Sequence, residues 1–176
     1  MIKHATIALA LCSGIATAQS SKSATGQARI LWQDVMNNVT ASADELPEAM
    51  YSFKATPEVR SFGELLAHVA GSQKMFCAMA LGEKAGAEDD IEKTAKTKEA
   101  IVAALKESNT YCDRAYKQTD AVTSATIDVF GAKRTKLFAL MLNASHDDEH
   151  YGNIVTYMRI NKMVPPSSRP SPPAKP

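Results

Sequence analysis

His146 and His150 stand four residues apart near the C-terminal end of a 176-residue chain, in a stretch whose apolar residues recur at helical spacing. Residues i and i+4 of a helix project from one face about a turn apart, so the two imidazoles can each offer a nitrogen to one metal ion. Asn143 and Asn153 continue that stripe and make it polar. A third histidine, His68, lies one turn past Leu65 and one turn before Ser72, Met75 and Phe76, on a largely apolar face of another helix. Alone it reads as a core histidine with a satisfied hydrogen bond. Taken together, His68, His146 and His150 are the donor set of a metal site with an open position, an arrangement of catalytic rather than closed structural sites. An ion held in this way lowers the pKa of a bound water to about 7, or deprotonates a coordinated thiol. Asp147, Asp148 and Glu149 fall between the ligands. Asp147 and Asp148 are expected on a solvated acidic face. Glu149, about 100° round the helix from its neighbour, and Tyr151 are the candidates for proton transfer or for support of a ligand.

His146-Asp147-Asp148-Glu149-His150 also spells H-x-x-E-H, the inverted zinc-peptidase signature. Resemblance to that family implies a downstream glutamate ligand, and no Asp or Glu follows His150. The peptidase reading therefore fails, while metal-assisted hydrolysis stays open.

The elements that must position these residues are helical. From Ala28, the residues Leu31, Val35, Val39 and Leu46, joined by Trp32 and Met36, recur at helical spacing until Pro47 stops them. Ser61-Phe62-Gly63-Glu64 has the S-x-x-E form of a capping box and opens a second helix to about Gly82, with Leu65, Val69, Phe76 and Met79 as core candidates. The charged segment 83–96 is expected to be a solvated connection. A third helix begins near Thr97 and carries Ile101, Leu105, Ser108, Cys112 and Tyr116 on one stripe. Segment 120–135 has no clear helical period, and Ile127, Val129 and Gly131 fit a small hairpin over a short run. The fourth helix runs from about Lys136 to Ile160, with Leu137, Leu140, Met141, Ala144, Tyr151, Val155 and Met158 toward a core, and Val164-Pro165-Pro166 stops it. Four amphipathic helices over 28–164 make an all-α four-helix bundle. Segment 19–27 reads as a flexible lead-in and 165–176 as an extended proline-rich tail.

Cys77 lies fifteen residues after Phe62, and Cys112 fifteen after Thr97, so the two sit level if the second and third helices run parallel. A parallel pair requires a crossover as long as the helix, about 30 Å for 20 residues. Segment 83–96 can span this at about 3.3 Å per residue. Either a Cys77–Cys112 disulfide or two small buried thiols satisfies the sequence. The absence of C-x-x-C argues against a redox-active pair.

Composition narrows the partners. The length suits one globular domain, and 20 basic against 19 acidic residues leave no basic surplus for nucleic acid. Met1 to His4 is a short basic start, Ala5 to Ala16 is small and apolar, and Ala16-Thr17-Ala18 fits an A-x-A cleavage site. Residues 1–18 are thus expected to be a signal peptide, and the mature protein secreted or periplasmic. Cleavage also removes Lys3, leaving as many basic as acidic groups, together with His4 and Cys12. Leu11 before Cys12 argues against a lipid anchor. No later run is long and apolar enough to span a membrane. A homodimer is compatible with such a bundle, though no exposed apolar patch can be read from the sequence.

The stretch from Ser61 to Ala70, with His68 in Leu65-Leu66-Ala67-His68-Val69, and the stretch Asn143-Ala144-Ser145-His146-Asp147-Asp148-Glu149-His150-Tyr151-Gly152-Asn153 together resemble the DinB family of metal-binding four-helix bundles. Tyr157-Met158-Arg159-Ile160 and Val164-Pro165-Pro166-Ser167-Ser168 resemble an exported branch of it. The resemblance spans about Ile30 to Ser168. It implies a long crossover between helices two and three and a divalent metal, zinc or nickel, on His68, His146 and His150. It further implies a small-molecule substrate, with a thiol among the candidates, because characterised relatives join low-molecular-weight thiols to electrophiles. The alternative is a non-catalytic bundle that binds a metal or small ligand through the same triad.

Overall fold

The computed structural model describes residues 22–170, so the signal-peptide reading of 1–18 and the last six residues lie outside the described part. In chain order the elements are α1 (Ala24–Glu45), a 3-10 turn (Glu48–Ser52), α2 (Phe62–Leu81), α3 (Asp90–Thr94), α4 (Lys98–Tyr116) and α5 (Asp120–Thr123). A hairpin of β1 (Thr126–Val129) and β2 (Ala132–Thr135), α6 (Lys136–Ile160) and a second 3-10 turn (Pro166–Ser168) complete it. The fold is an all-α four-helix bundle of α1, α2, α4 and α6.

Contacts along the helices give their directions. Gln73 bonds Ser108, Lys74 pairs with Glu107, and Cys77 is disulfide-bonded to Cys112, so α2 and α4 run parallel. Phe76 packs on His146 while Tyr157 reaches the carbonyl of Arg60, which makes α6 antiparallel to α2. Arg29 pairs with Asp113 and Lys98 bonds the carbonyl of Leu46, so α1 opposes α4. The segment from Leu81 to Lys98 must therefore travel the length of the bundle, the crossover that the resemblance implied. Cys77 and Cys112 are linked with a Cα–Cα separation of 5.3 Å.

α1 buries Ala28, Trp32, Met36, Val39 and Ala43, one helical face. The core is not wholly apolar. The Trp32 indole stacks on the Tyr116 ring with centroids 4.6 Å apart and donates its N–H to Gln73, whose amide donates to Ser108 at 2.8 Å. Tyr116 in turn donates to the Leu140 carbonyl at 2.7 Å. These bonds satisfy polar groups that burial would otherwise penalise, and they fix how the four helices meet.

Several expectations are corrected. The first helix starts at Ala24 rather than Ala28, because Ser23 caps it and the Asp120 carboxylate accepts from the amides of Ala24 and Thr25 at 3.0 and 2.9 Å. Met141 was expected in the core but is 56% exposed, and Leu31, on the helical stripe of α1, is 63% exposed. Each lies about 100° from its inward neighbour, Trp32 or Leu140, and they line a surface groove between α1 and α6 instead. Segment 83–96 is no bare connection: it contains α3 and lies against α2. The hairpin forms, its turn residues Phe130 and Gly131 both at positive φ, as a tight hairpin requires. Residues 165–170 are not a loose tail, since Arg169 pairs with Glu45 and Ser167 bonds Tyr151.

Candidate metal centre

The Ser61–Glu64 capping box starts α2: Ser61 accepts from the Glu64 amide at 3.2 Å, and Glu64 accepts from the Ser61 amide at 2.7 Å. With that start defined, His68 falls two turns in, on the face toward α6, and is 3% exposed. Thr135 caps α6 through the Phe138 amide, and the helix then continues unbroken through His146 and His150. Antiparallel packing of the two helices brings the three rings together. Ring centroids lie 5.3 Å apart for His68 and His146, 4.8 Å for His68 and His150, and 4.3 Å for His146 and His150. One nitrogen from each residue lies within 4.8 Å of the others.

The donor set fits a metal ion. The Nε2 atoms of His146 and His150 are 3.1 Å apart. Two bonds of about 2.0–2.1 Å meeting at a tetrahedral angle would place two ligand nitrogens about 3.3 Å apart. The Nδ1 atoms of all three rings are buried without a hydrogen-bond partner. Burial, the largest effect, and neighbouring charged forms push the pKa of each imidazole down, that of His150 to about 3. Neutral imidazoles, the form that ligates a metal, are thus the stable form of the cluster at neutral pH.

A cavity of about 510 Å³ reaches this cluster from one side. His150, Asn153 and Tyr157 of α6 line it together with Leu65, Arg60 and Glu92. Phe76 packs edge-on against His146, its ring centroid 5.5 Å away. Arg60 and Glu92 were missed by sequence reasoning. Both stand in connecting segments, and nothing in their local pattern announces that the chain returns to the histidines there.

The remaining sequence candidates are placed differently. Glu149 and Asp148 are exposed. Tyr151 is buried, but its hydroxyl donates to Ser167 Oγ at 2.9 Å and accepts from the Ser167 amide at 3.1 Å. Asp147 was expected in solvent and is fully buried instead. It shares the inward stripe of α6 with Leu140, Asn143 and Ile154, and its Oδ2 accepts from Asn143 at 3.2 Å while Oδ1 has no partner. Burial pushes its carboxyl pKa well above the usual range.

Comparison with known proteins bears on what this bundle is. A DinB-like protein from Bacillus cereus ATCC 10987 superposes with a TM-score of 0.68 at 18% identity, over 79% of this chain and 93% of that one. The mycothiol-dependent maleylpyruvate isomerase superposes with a TM-score of 0.64 at 14% identity, over 74% of this chain; the match spans 60% of that protein's length. A DinB-like protein from Bacillus subtilis gives 0.53 at 23% identity, over 78% of this chain and 93% of that one. Comparison with curated proteins gives no match. At these identities the structural likeness concerns the fold, but the family model of the DinB superfamily matches residues 31–154, more than half of the sequence. The chain belongs to the DinB superfamily.

Proposed function

We propose that this protein is an exported metalloenzyme in which His68, His146 and His150 hold a divalent ion, zinc or nickel, beside a small-molecule site. The observation that carries this reading is the convergence of three imidazoles, each with a buried Nδ1, beside a cavity that His150 lines. A divalent ion bound there would supply a water or thiol nucleophile at neutral pH. The chain's own residues do the rest. Leu65 and Tyr157 shield one side of the cavity from water, and Asn153 and Arg60 offer hydrogen-bond donors to orient a bound molecule. Glu149, exposed beside His146, is the α6 carboxylate assigned to proton transfer, and Tyr151 supports His150 by tying α6 to Ser167. The mycothiol dependence of the similarly folded isomerase favours a thiol over water. Export is supported by the Cys77–Cys112 disulfide, since such bonds persist mainly in oxidising compartments. A binding protein without catalysis would use the same triad. The cavity, within the usual 300–1,000 Å³ of small-molecule sites, favours chemistry.

The test is metal content by mass spectrometry on untagged protein, beside a His146→Ala/His150→Ala variant. About one metal per chain, lost in the double variant, is expected. Absence of metal in the wild type even after incubation with zinc or nickel would overturn the reading. Thiol-transfer and hydrolysis screens on the loaded protein then separate an enzyme from a binding protein.

A further inference from the structure

One carboxylate reaches the histidine cluster from outside the two helices that carry it. Glu92 Oε2 lies 3.6 Å from His68 Nδ1, which is buried and has no hydrogen-bond partner. Two features hold Glu92 there. Arg60 Nε donates to both carboxylate oxygens at 3.1 Å, and the carbonyl of Arg60 is held by the Tyr157 hydroxyl at 2.8 Å. Tyr157 belongs to α6, so this chain of contacts starts on the helix that bears His146 and His150 and ends on His68 of α2. The crossover itself is seated by Gly71, three residues past His68. A Cβ built there would lie 2.0 Å from the Glu88 carbonyl oxygen, so only glycine lets this backbone come so close.

An ionised carboxylate can only accept hydrogen bonds, so a neutral imidazole facing it at Nδ1 is favoured in the tautomer that carries its proton on Nδ1. The other nitrogen then keeps its lone pair. At 3.6 Å the contact is an ion-pair distance, longer than a formed hydrogen bond. We propose that Glu92 is a positioning residue for His68: it holds the ring in the Nδ1–H tautomer, leaving Nε2 as the ligand atom, and Arg60 holds Glu92 in place for that role. This rests on the metal-site reading above.

The test uses the full chain with Glu92→Ala, Glu92→Gln, Arg60→Ala and the Arg60→Ala/Glu92→Ala double variant. Zinc affinity is measured by chelator competition, and the His68 tautomer by long-range proton–nitrogen NMR with and without zinc. Glu92→Ala is expected to weaken zinc binding about 10–100-fold and to abolish the preference for Nδ1–H. Glu92→Gln, which keeps an acceptor oxygen and the side-chain shape, is expected to fall between it and the wild type. Arg60→Ala is expected to cost less than Glu92→Ala, and less when added to Glu92→Ala than on its own. Zinc binding unchanged in Glu92→Ala, or a wild-type His68 protonated on Nε2, would overturn the role given to Glu92. Failure of the wild type to take up zinc would instead sink the metal reading. The tautomer in metal-free protein reports on the Glu92–His68 contact in either case.

Discussion

Asp147 shows how far one residue can depart from what its type suggests. It lies one position from His146 yet points into the core, with one oxygen bonded to Asn143 and the other without a partner. With its folded pKa raised, the folded protein keeps a proton that the unfolded chain releases above about pH 4. Stability contributed by this group is therefore lost as the pH rises from there. Asp147→Asn removes that loss, and in metal-free protein at pH 7 it is expected to raise Tm by about 3–6 °C, equivalent to roughly 1–2 kcal/mol. The gain should vanish below about pH 4, which thermal denaturation across pH would show. His150 acts in the opposite direction: its folded pKa of about 3 means that stability falls as the pH drops below about 6.5. Three histidines were legible from spacing and type. The burial of Asp147 was not, because an acidic triplet between two ligands reads as solvated until the inward stripe of α6 is known.

At the scale of elements, the crossover matters most. Its seat on α2 depends on Gly71, and Gly71→Ala is expected to destabilise the protein by about 1–3 kcal/mol in urea denaturation, since the new methyl would meet backbone rather than a movable side chain. If the crossover also carries Glu92 to His68, the same variant should weaken zinc binding in a competition titration. The disulfide joins the two parallel helices that this crossover connects. Cys77→Ser/Cys112→Ser should cost about 2–4 kcal/mol, because the link closes a long loop of the unfolded chain. The start of α2 was readable from its Ser61–Glu64 capping box and the end of α1 from Pro47. The hairpin was not, as four-residue strands carry little periodicity, and its turn is formed by Phe130, a residue seldom found at positive φ.

Across the whole molecule, charge balance and the N-terminal segment bear on where the protein works. No helix among the described residues is long and apolar enough to cross a membrane. If residues 1–18 are a signal peptide, N-terminal sequencing of protein recovered from the producing cell's exported fraction should begin at Gln19; recovery of the intact chain beginning at Met1 would count against export. The amino-acid sequence by itself determined the helical periods, the Ser61–Glu64 cap, the proline stops, the three histidines and the equal offsets of the two cysteines from their helix starts. All of these depend on neighbours within a turn or on a simple count along the chain. Only the tertiary structure decided which faces turned inward, so Leu31 and Met141 lie outside and Asp147 inside. Only it brought Arg60 and Glu92, from two connecting segments, to the side of His68. Contacts between segments far apart in sequence are set by helix packing and crossover path, which leave no local periodic signal for a residue to carry.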